Sequence, residues 1–172
     1  MLFHKDEAIS KENGAIPPKA GSSKPYFYGN PSGRSIANKP LKAKMLRQHE
    51  IEIRVRYHDT DAQGRVHHGA YINYFETGRV ELLRATGRSY KSLEDEGIML
   101  VVADLKVQYH SPAIYDDLLT LHTETLRAKG ARILHGYRLT RGDDLIVEGE
   151  TTVACVSREG KIQRLPQWLR DK

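Results

Sequence analysis

One long helical segment stands among segments that alternate as strands do, and this order limits the folds open to the chain. From Tyr71 to Ala85, apolar residues recur at steps of three and four, the spacing of an amphipathic helix of about 16 residues. Gly78 lies in the middle of this segment, where it costs about 1 kcal/mol relative to alanine. Close approach of the helix to another element usually offsets such a cost, so we expect a sheet to pack directly against Gly78.

Strands are predicted on both sides of this helix. Before it, apolar and charged side chains alternate, which predicts one buried face made of Ile51, Ile53, Val55 and Tyr57. After it, a short second helix is predicted from Ser89 to Glu96. Further strands are predicted at 99–110, 118–126, 133–140, 145–156 and 162–165. Strands grouped around one helix favour an α+β fold, with the helix on one face of an antiparallel sheet.

The first 45 residues differ in composition from the rest of the chain. They hold five of the seven prolines, and no hydrophobic periodicity runs through them. Residues 1–48 contain nine Lys and Arg against three Asp and Glu, whereas the remainder is close to neutral. We expect residues 1–45 to form a basic, Pro/Gly-rich extension that is disordered or loosely docked, and residues 46–172 to form the folded domain. Met45 could instead be the true start.

Composition argues against several classes of protein. The only cysteine is Cys155, which excludes an internal disulfide or a cysteine-based zinc site and predicts a reducing, cytoplasmic compartment. Cys155 lies in an apolar strand segment, so we expect a small buried side chain rather than a nucleophile. No apolar run approaches the roughly 18 residues of a membrane span. The near-neutral domain does not predict a nucleic-acid-binding face.

The densest polar cluster of the chain lies between the first strand and the long helix. It comprises Tyr57, His58, Asp59, Asp61, His67 and His68. Backbone N–H groups at a helix start lack intrahelical partners, and the helix dipole there favours an oxyanion. An upstream carboxylate could attack the same centre or direct water at it, which suits hydrolysis of an activated acyl group. From the residues alone, turn and cap formation and metal binding by His58, Asp61, His67 and His68 also stay open.

This cluster and its flanking residues resemble a known family. Residues 55–71, VRYHDTDAQGRVHHGAY, closely resemble the opening motif of the 4-hydroxybenzoyl-CoA thioesterase family, in its bacterial acyl-CoA thioesterase branch. The resemblance continues through residues 75–84 and 107–113 and covers roughly residues 48–168. Residues 1–45 have no counterpart in the family.

The resemblance implies a hotdog fold, in which an antiparallel sheet wraps a long central helix. Such subunits pair through their sheets as dimers or dimers of dimers, with active sites at the subunit interface. The implied activity is hydrolysis of an acyl-CoA thioester to a carboxylate and CoA, without a metal or redox cofactor. Asp61 matches the family's catalytic carboxylate, which acts as nucleophile or general base. His68 matches the position whose backbone N–H polarises the carbonyl, and Tyr57 matches a tyrosine that orients Asp61 or the substrate.

Other residues are candidates for binding the substrate. In the family, a basic turn contacts the nucleotide end of CoA, and Arg127, Lys129 and Arg132 cluster at a comparable predicted turn. Ordinary solvated turn charges are the alternative. Val102 and the two residues before it are expected to line the acyl pocket, although core packing explains them equally well.

Glu76, on the long helix, is a possible second carboxylate, because another hotdog branch places its catalytic acid on this helix. The favoured alternative is a structural ion pair with Arg79 or Arg84. Both arginines are expected to be interface or surface charges.

Two other functions stay open. The chain could be a hotdog protein that acts on acyl carrier protein thioesters or as a hydratase. The pattern that we expect of a hydratase, an Asp and a His about five residues apart beside a glycine-rich helix start, is not the one in this sequence. It could also be a non-catalytic acyl-CoA-binding module.

Overall fold

The structure is a computed structural model that describes residues 46–171, so the predicted extension at 1–45 lies outside the described residues. The helices of this part are α1 (Ala70–Arg84) and α2 (Tyr90–Asp95). The strands are β1 (Gln48–Arg54), β2 (Met99–Tyr109), β3 (Leu118–Lys129), β4 (Arg132–Arg141) and β5 (Asp144–Val156). Among these residues, no helix is long and apolar enough to cross a membrane.

The strands form one antiparallel sheet in the order β1-β3-β4-β5-β2, which leaves β1 and β2 at its edges. Side chains alternate between a buried face and an outer face along β3. Leu119, Leu121 and Thr123 are almost completely buried, whereas Thr120 and His122 between them are only partly buried. Because α1 packs against the buried face, the predicted α+β arrangement is confirmed.

The helix α1 touches the sheet most closely at Gly78. A Cβ atom at this position would lie 2.3 Å from Oγ1 of Thr123 and 2.7 Å from Cδ2 of Leu121. One turn earlier, Phe75 is fully buried and stacks on Tyr137 with ring centroids 4.4 Å apart. The predicted close approach at Gly78 is confirmed, because a larger residue there would push α1 away from β3.

A second hydrophobic cluster lies beneath the C-terminal residues. Cys155 is fully buried in it, together with Leu165 and Leu169, which come from the last segment of the chain. Burial raises the pKa of the Cys155 thiol. The expectation of a small buried cysteine is therefore confirmed.

The predicted strand at 162–165 is wrong. Ile162 makes only an isolated bridge with Val156, and the chain then enters a short 3-10 turn at Gln167–Leu169. Leu165 is buried against the second cluster, while Ile162 is 76% exposed. The turn is therefore followed by an irregular segment that docks Leu165 on this cluster, and not by a paired strand.

The first predicted strand is correct up to Arg54, and the next residue, Val55, still belongs to the buried face. That residue is fully buried, but β1 has already ended at Arg54, and Tyr57 begins a 3-10 turn. Tyr57 is 80% exposed, so its predicted place on the buried face is wrong. The cause is local, because the carboxylate of Asp59 accepts the N–H of Arg56 at 2.9 Å and turns the chain.

Candidate active site

The segment between β1 and α1, residues 55–69, holds the predicted catalytic residues; we call it the β1–α1 loop. After the 3-10 turn at Tyr57–Asp59, Thr60 and Val66 pair in an antiparallel bridge. The N–H of Asp61 donates to the carbonyl of Arg65 at 2.8 Å, and Gly64 takes a φ of +72°, which favours glycine. The loop is therefore a small hairpin with Asp61 at its first corner.

The carboxylate of Asp61 is held in one orientation. Its Oδ1 accepts the N–H of Gln63 at 2.8 Å, the contact of an Asx turn. Within residues 46–171, the second oxygen, Oδ2, accepts no hydrogen bond. One oxygen therefore fixes the group, and the other is available to a substrate or a water molecule.

His68 lies at the start of α1, just before the N-cap residue Gly69. The N–H of His67 donates to the carbonyl of Asp59 at 2.8 Å, and the N–H of Gly69 donates to Nδ1 of His67 at 3.1 Å. The N–H of His68 between them donates to no acceptor in the described part of the chain. The carbonyl of His68 accepts the hydroxyl of Tyr109 at 3.1 Å. This arrangement leaves the N–H of His68 without an acceptor among the described residues, at the positive end of α1.

Tyr57 is placed differently from the other two predicted catalytic residues. Its ring packs edge-on against Tyr115, with centroids 5.7 Å apart. No hydrogen bond between residues 46 and 171 joins its hydroxyl to Asp61, which leaves contact with the substrate as its predicted role.

The histidines and acids of the β1–α1 loop do not have the geometry of a metal site. Across residues 46–171, no three His, Cys, Asp or Glu side chains are arranged to hold a metal ion. The rings of His67 and His68 lie 4.1 Å apart by centroid and contact each other instead.

Glu76 forms the ion pair that was the alternative to a catalytic role. Its carboxylate lies 3.4 Å from the guanidinium of Arg79, and its side chain is 63% exposed. Arg79 is only 9% exposed, so the expectation of a surface or interface charge is wrong for this residue. It lies beside Tyr90, whose pKa burial raises to about 12. Arg84 pairs with Glu81 instead.

The predicted CoA-binding residues lie together at the turn between β3 and β4. Lys129 is in register with Arg132, and both line an open concavity of about 360 Å³ with Arg127. On the other side of the turn, Lys129 also lines a concavity of about 330 Å³ with Arg164 and Arg170. Sequence analysis missed these last two arginines, because only the folded chain brings the C-terminal segment beside the turn.

The candidate residues form two groups at opposite ends of the sheet. The β1–α1 loop lies near the start of β3 and the end of β2, since Arg65 bridges Ile114 and Tyr109 contacts His68. Val102 lies near the start of β2, and the residues aligned with it across β5 and β4 lie beside the basic turn. The 12 residues of β3 separate the two ends by roughly 35 Å at about 3.3 Å per residue. Within one chain, the basic turn is therefore far from Asp61.

Comparison with known proteins decides the family. The sequence profile described as the thioesterase-like superfamily matches residues 55–172. The chain belongs to this superfamily. The acyl-CoA thioesterase YbgC of Haemophilus influenzae is 40% identical over 105 residues, which are 60% of this chain and 77% of that protein.

Solved thioesterase structures share the fold. A probable thioesterase from Bartonella henselae has a TM-score of 0.67 and 36% identity, over 69% of this chain and 99% of that one. A DHNA-CoA thioesterase from Staphylococcus aureus has a TM-score of 0.67 and 29% identity, over 70% and 82%. The predicted family resemblance, the hotdog fold and the assignment as a thioester hydrolase are confirmed.

Proposed function

We propose that this protein is an acyl-CoA thioesterase that hydrolyses an acyl-CoA thioester to a free carboxylate and CoA. The observation that carries the proposal is that the β1–α1 loop holds two polar groups without hydrogen-bond partners among residues 46–171. One is a carboxylate oxygen of Asp61, and the other is the N–H of His68 at the start of α1. The similarity to a protein named acyl-CoA thioesterase supports CoA as the thiol.

In the proposed reaction, the N–H of His68 donates to the thioester carbonyl oxygen and stabilises the negative charge that develops on it. The positive end of α1 adds to this stabilisation. As a general base, Asp61 takes a proton from water while the water oxygen attacks the carbonyl carbon. The C–S bond then breaks, and the proton passes to the sulfur of CoA.

Asp61 could act instead as a nucleophile. Its oxygen would then attack the carbonyl carbon and displace the CoA thiolate, forming a mixed anhydride that water hydrolyses. Neither route needs a metal or a redox cofactor, since the carboxylate and water supply the whole reaction. The cytoplasmic location predicted from the single Cys155 stays a prediction.

A second copy of the chain would complete the site. The edge strand β2 is 11 residues long and exposes Val101 and Val102, which are 45% and 48% exposed. An unprotected apolar edge of this kind pairs readily with another strand. If two copies of β2 pair antiparallel about a two-fold axis, the start of one lies beside the end of the other. The Val102 end of the second copy, with its basic turn, then lies beside the Tyr109 end and Asp61 of the first.

This arrangement gives each predicted substrate-binding residue a place. Arg127, Lys129 and Arg132 of one subunit would bind the phosphates of CoA, and Val102 would lie against the acyl-pantetheine portion. Whether two such dimers associate further stays a prediction.

Thiol release measured on a substrate panel tests the proposal. The panel holds short aliphatic, long aliphatic and aroyl-CoA esters and an acyl carrier protein thioester. Hydration of an enoyl-CoA releases no thiol, so it is followed separately by the loss of the conjugated enoyl absorbance. We expect Asp61→Asn to lower kcat by about 10³-fold or more with the fold retained. Asp143→Asn, in the exposed turn between β4 and β5, is the matched carboxylate control and should match the wild type.

Wild-type turnover in Asp61→Asn would refute the proposed role of that residue. If Glu76→Gln were inactive in the same assay, the role would pass to the helix carboxylate. Turnover confined to the carrier-protein thioester or to hydration of the enoyl-CoA would replace the proposed substrate or reaction.

A further inference from the structure

Asp59 makes more polar contacts than any role in the proposed reaction requires. Its Oδ2 accepts the N–H of Arg56 and the hydroxyl of Tyr74, each at 2.9 Å. Its Oδ1 lies 3.4 Å from Nε2 of His58, and its backbone carbonyl accepts the N–H of His67 at 2.8 Å. The side chain is only 11% exposed. Asp59 is therefore a largely buried junction between hydrogen-bonded groups rather than a surface charge.

Tyr74 anchors this junction to the helix. It lies on the second turn of α1 and is 7% exposed, with its ring edge-on to Tyr71 at 5.9 Å. Burial, together with the neighbouring Asp59 carboxylate, raises the pKa of its phenol. The hydroxyl therefore stays protonated and donates to Asp59 throughout the neutral range.

These contacts join both ends of the loop segment that carries the two proposed reacting groups, and so form a closed ring of bonded and hydrogen-bonded residues. The backbone of Asp59 is joined to His67, and its side chain is joined through Tyr74 to the helix that begins just after His68. Asp61 lies on the chain between the two joined points. The ring therefore fixes where the Asp61 carboxylate stands relative to the His68 N–H.

We infer that Asp59 and Tyr74 are positioning residues that hold Asp61 and the backbone N–H of His68 at reacting distance from one thioester. The inference rests on the proposed function, because it names what sets the geometry of that same site. Misplacement of a reacting group by about 1 Å costs about 100-fold in rate. Loss of the junction should therefore lower kcat, while the CoA-binding surface at the other end of the sheet is unaffected.

Two substitutions remove the junction. Tyr74→Phe deletes one hydroxyl and keeps the ring in place, and Asp59→Ala deletes the acceptor. For both variants, we expect kcat to fall by about tenfold or more, with KM within about twofold of the wild type.

A third substitution separates geometry from charge. Both donors meet the same oxygen of Asp59, so the amide oxygen of Asp59→Asn can accept both of them. We expect this variant to keep kcat within about threefold of the wild type, unlike Asp59→Ala. If the charge of Asp59 itself took part in the chemistry, Asp59→Asn would be as inactive as Asp61→Asn.

A matched control accounts for lost stability. Tyr137→Phe also deletes a buried phenol hydroxyl, whose partner is Oγ1 of Thr151 at 2.7 Å, away from the β1–α1 loop. Its kcat should equal that of the wild type, even where its Tm falls as far as that of Tyr74→Phe. All assays are run well below the lowest Tm, and if Tyr74→Phe fails to fold, the comparison of Asp59→Ala with Asp59→Asn carries the test.

The outcomes separate this inference from the proposed function. If Asp61→Asn is inactive but Tyr74→Phe and Asp59→Ala keep wild-type kcat, the positioning role is refuted and the proposed function stands. A loss in Asp59→Asn equal to that in Asp61→Asn also refutes positioning. A wild type without thioesterase activity refutes the proposed function, and this inference with it.

Discussion

His135 is a buried base, and its burial predicts how the stability of the fold depends on pH. It lies on β4, faces α1 and is 7% exposed. Burial, reinforced by the guanidinium of Arg79, lowers the pKa of its imidazole to about 4, from an ordinary value of about 6.5. The folded chain therefore keeps this side chain neutral in mildly acidic solution, where the unfolded chain protonates it.

The sign and size of the effect follow from these two pKa values. Between pH 6.5 and about 4, the unfolded chain binds a proton at His135 that the folded chain does not. The free energy of unfolding therefore has its full value above this pH window and decreases as the pH falls through it. A difference of about 2.5 pH units, at 1.36 kcal/mol for each, makes the loss about 3 kcal/mol at pH 4.

Urea denaturation between pH 7.5 and 4 measures this loss in the wild type and in His135→Gln. The glutamine is polar but does not titrate. As the pH falls, the wild type should therefore lose about 3 kcal/mol more unfolding free energy than the variant. The control is His122→Gln on β3, which leaves His135 in place, so its free energy of unfolding should still decrease as the pH falls. Parallel curves for the wild type and His135→Gln would refute the reasoning, because another group would then cause the acid sensitivity.

Three further predictions concern packing, substrate binding and assembly. Gly78→Ala should lower the free energy of unfolding by about 1–3 kcal/mol, because the clash with Thr123 outweighs the gain of about 1 kcal/mol in helix propensity; an unchanged urea midpoint would contradict this. Lys129→Glu combined with Arg132→Glu should raise KM for acyl-CoA about tenfold or more, least at high salt, with kcat within about twofold; an unchanged KM would place the CoA phosphates elsewhere. Val101→Lys on the edge of β2 should produce monomers in sedimentation and lower kcat; monomers with full activity would show that one chain suffices.

The periodic elements could be predicted from the sequence because each one repeats a local rule. The steps of three and four in α1 and the alternation in β3 come from one-sided burial, and both appear in the structure. Gly78 could also be interpreted, because a glycine inside a helix needs a neighbour at close range. The strand predicted at 162–165 failed because a turn followed by apolar residues does not show whether the next segment pairs as a strand.

The site could be predicted only in part. The motif identified Asp61 and His68 as candidates, but it did not separate Asp59, which makes the junction with Tyr74, from the other acids of the loop. The two residues are 15 positions apart and are joined by a hydrogen bond, and a local sequence pattern does not predict a contact of that kind. The burial of Arg79 was missed for a similar reason, since its neighbours come from α2 and the sheet.

The distance between the basic turn and Asp61 could not be predicted from the sequence. Arg132 and Asp61 are both candidates for the same site, yet they lie at opposite ends of a sheet whose longer strands span roughly 35 Å. In the proposed dimer, each chain supplies two half-sites, one with the proposed reacting groups and one with the cations proposed to bind CoA. Antiparallel pairing of two β2 edges would join unlike ends and form two complete sites from four half-sites. One two-fold axis would then account for both the exposed apolar edge of β2 and the separation of the two groups.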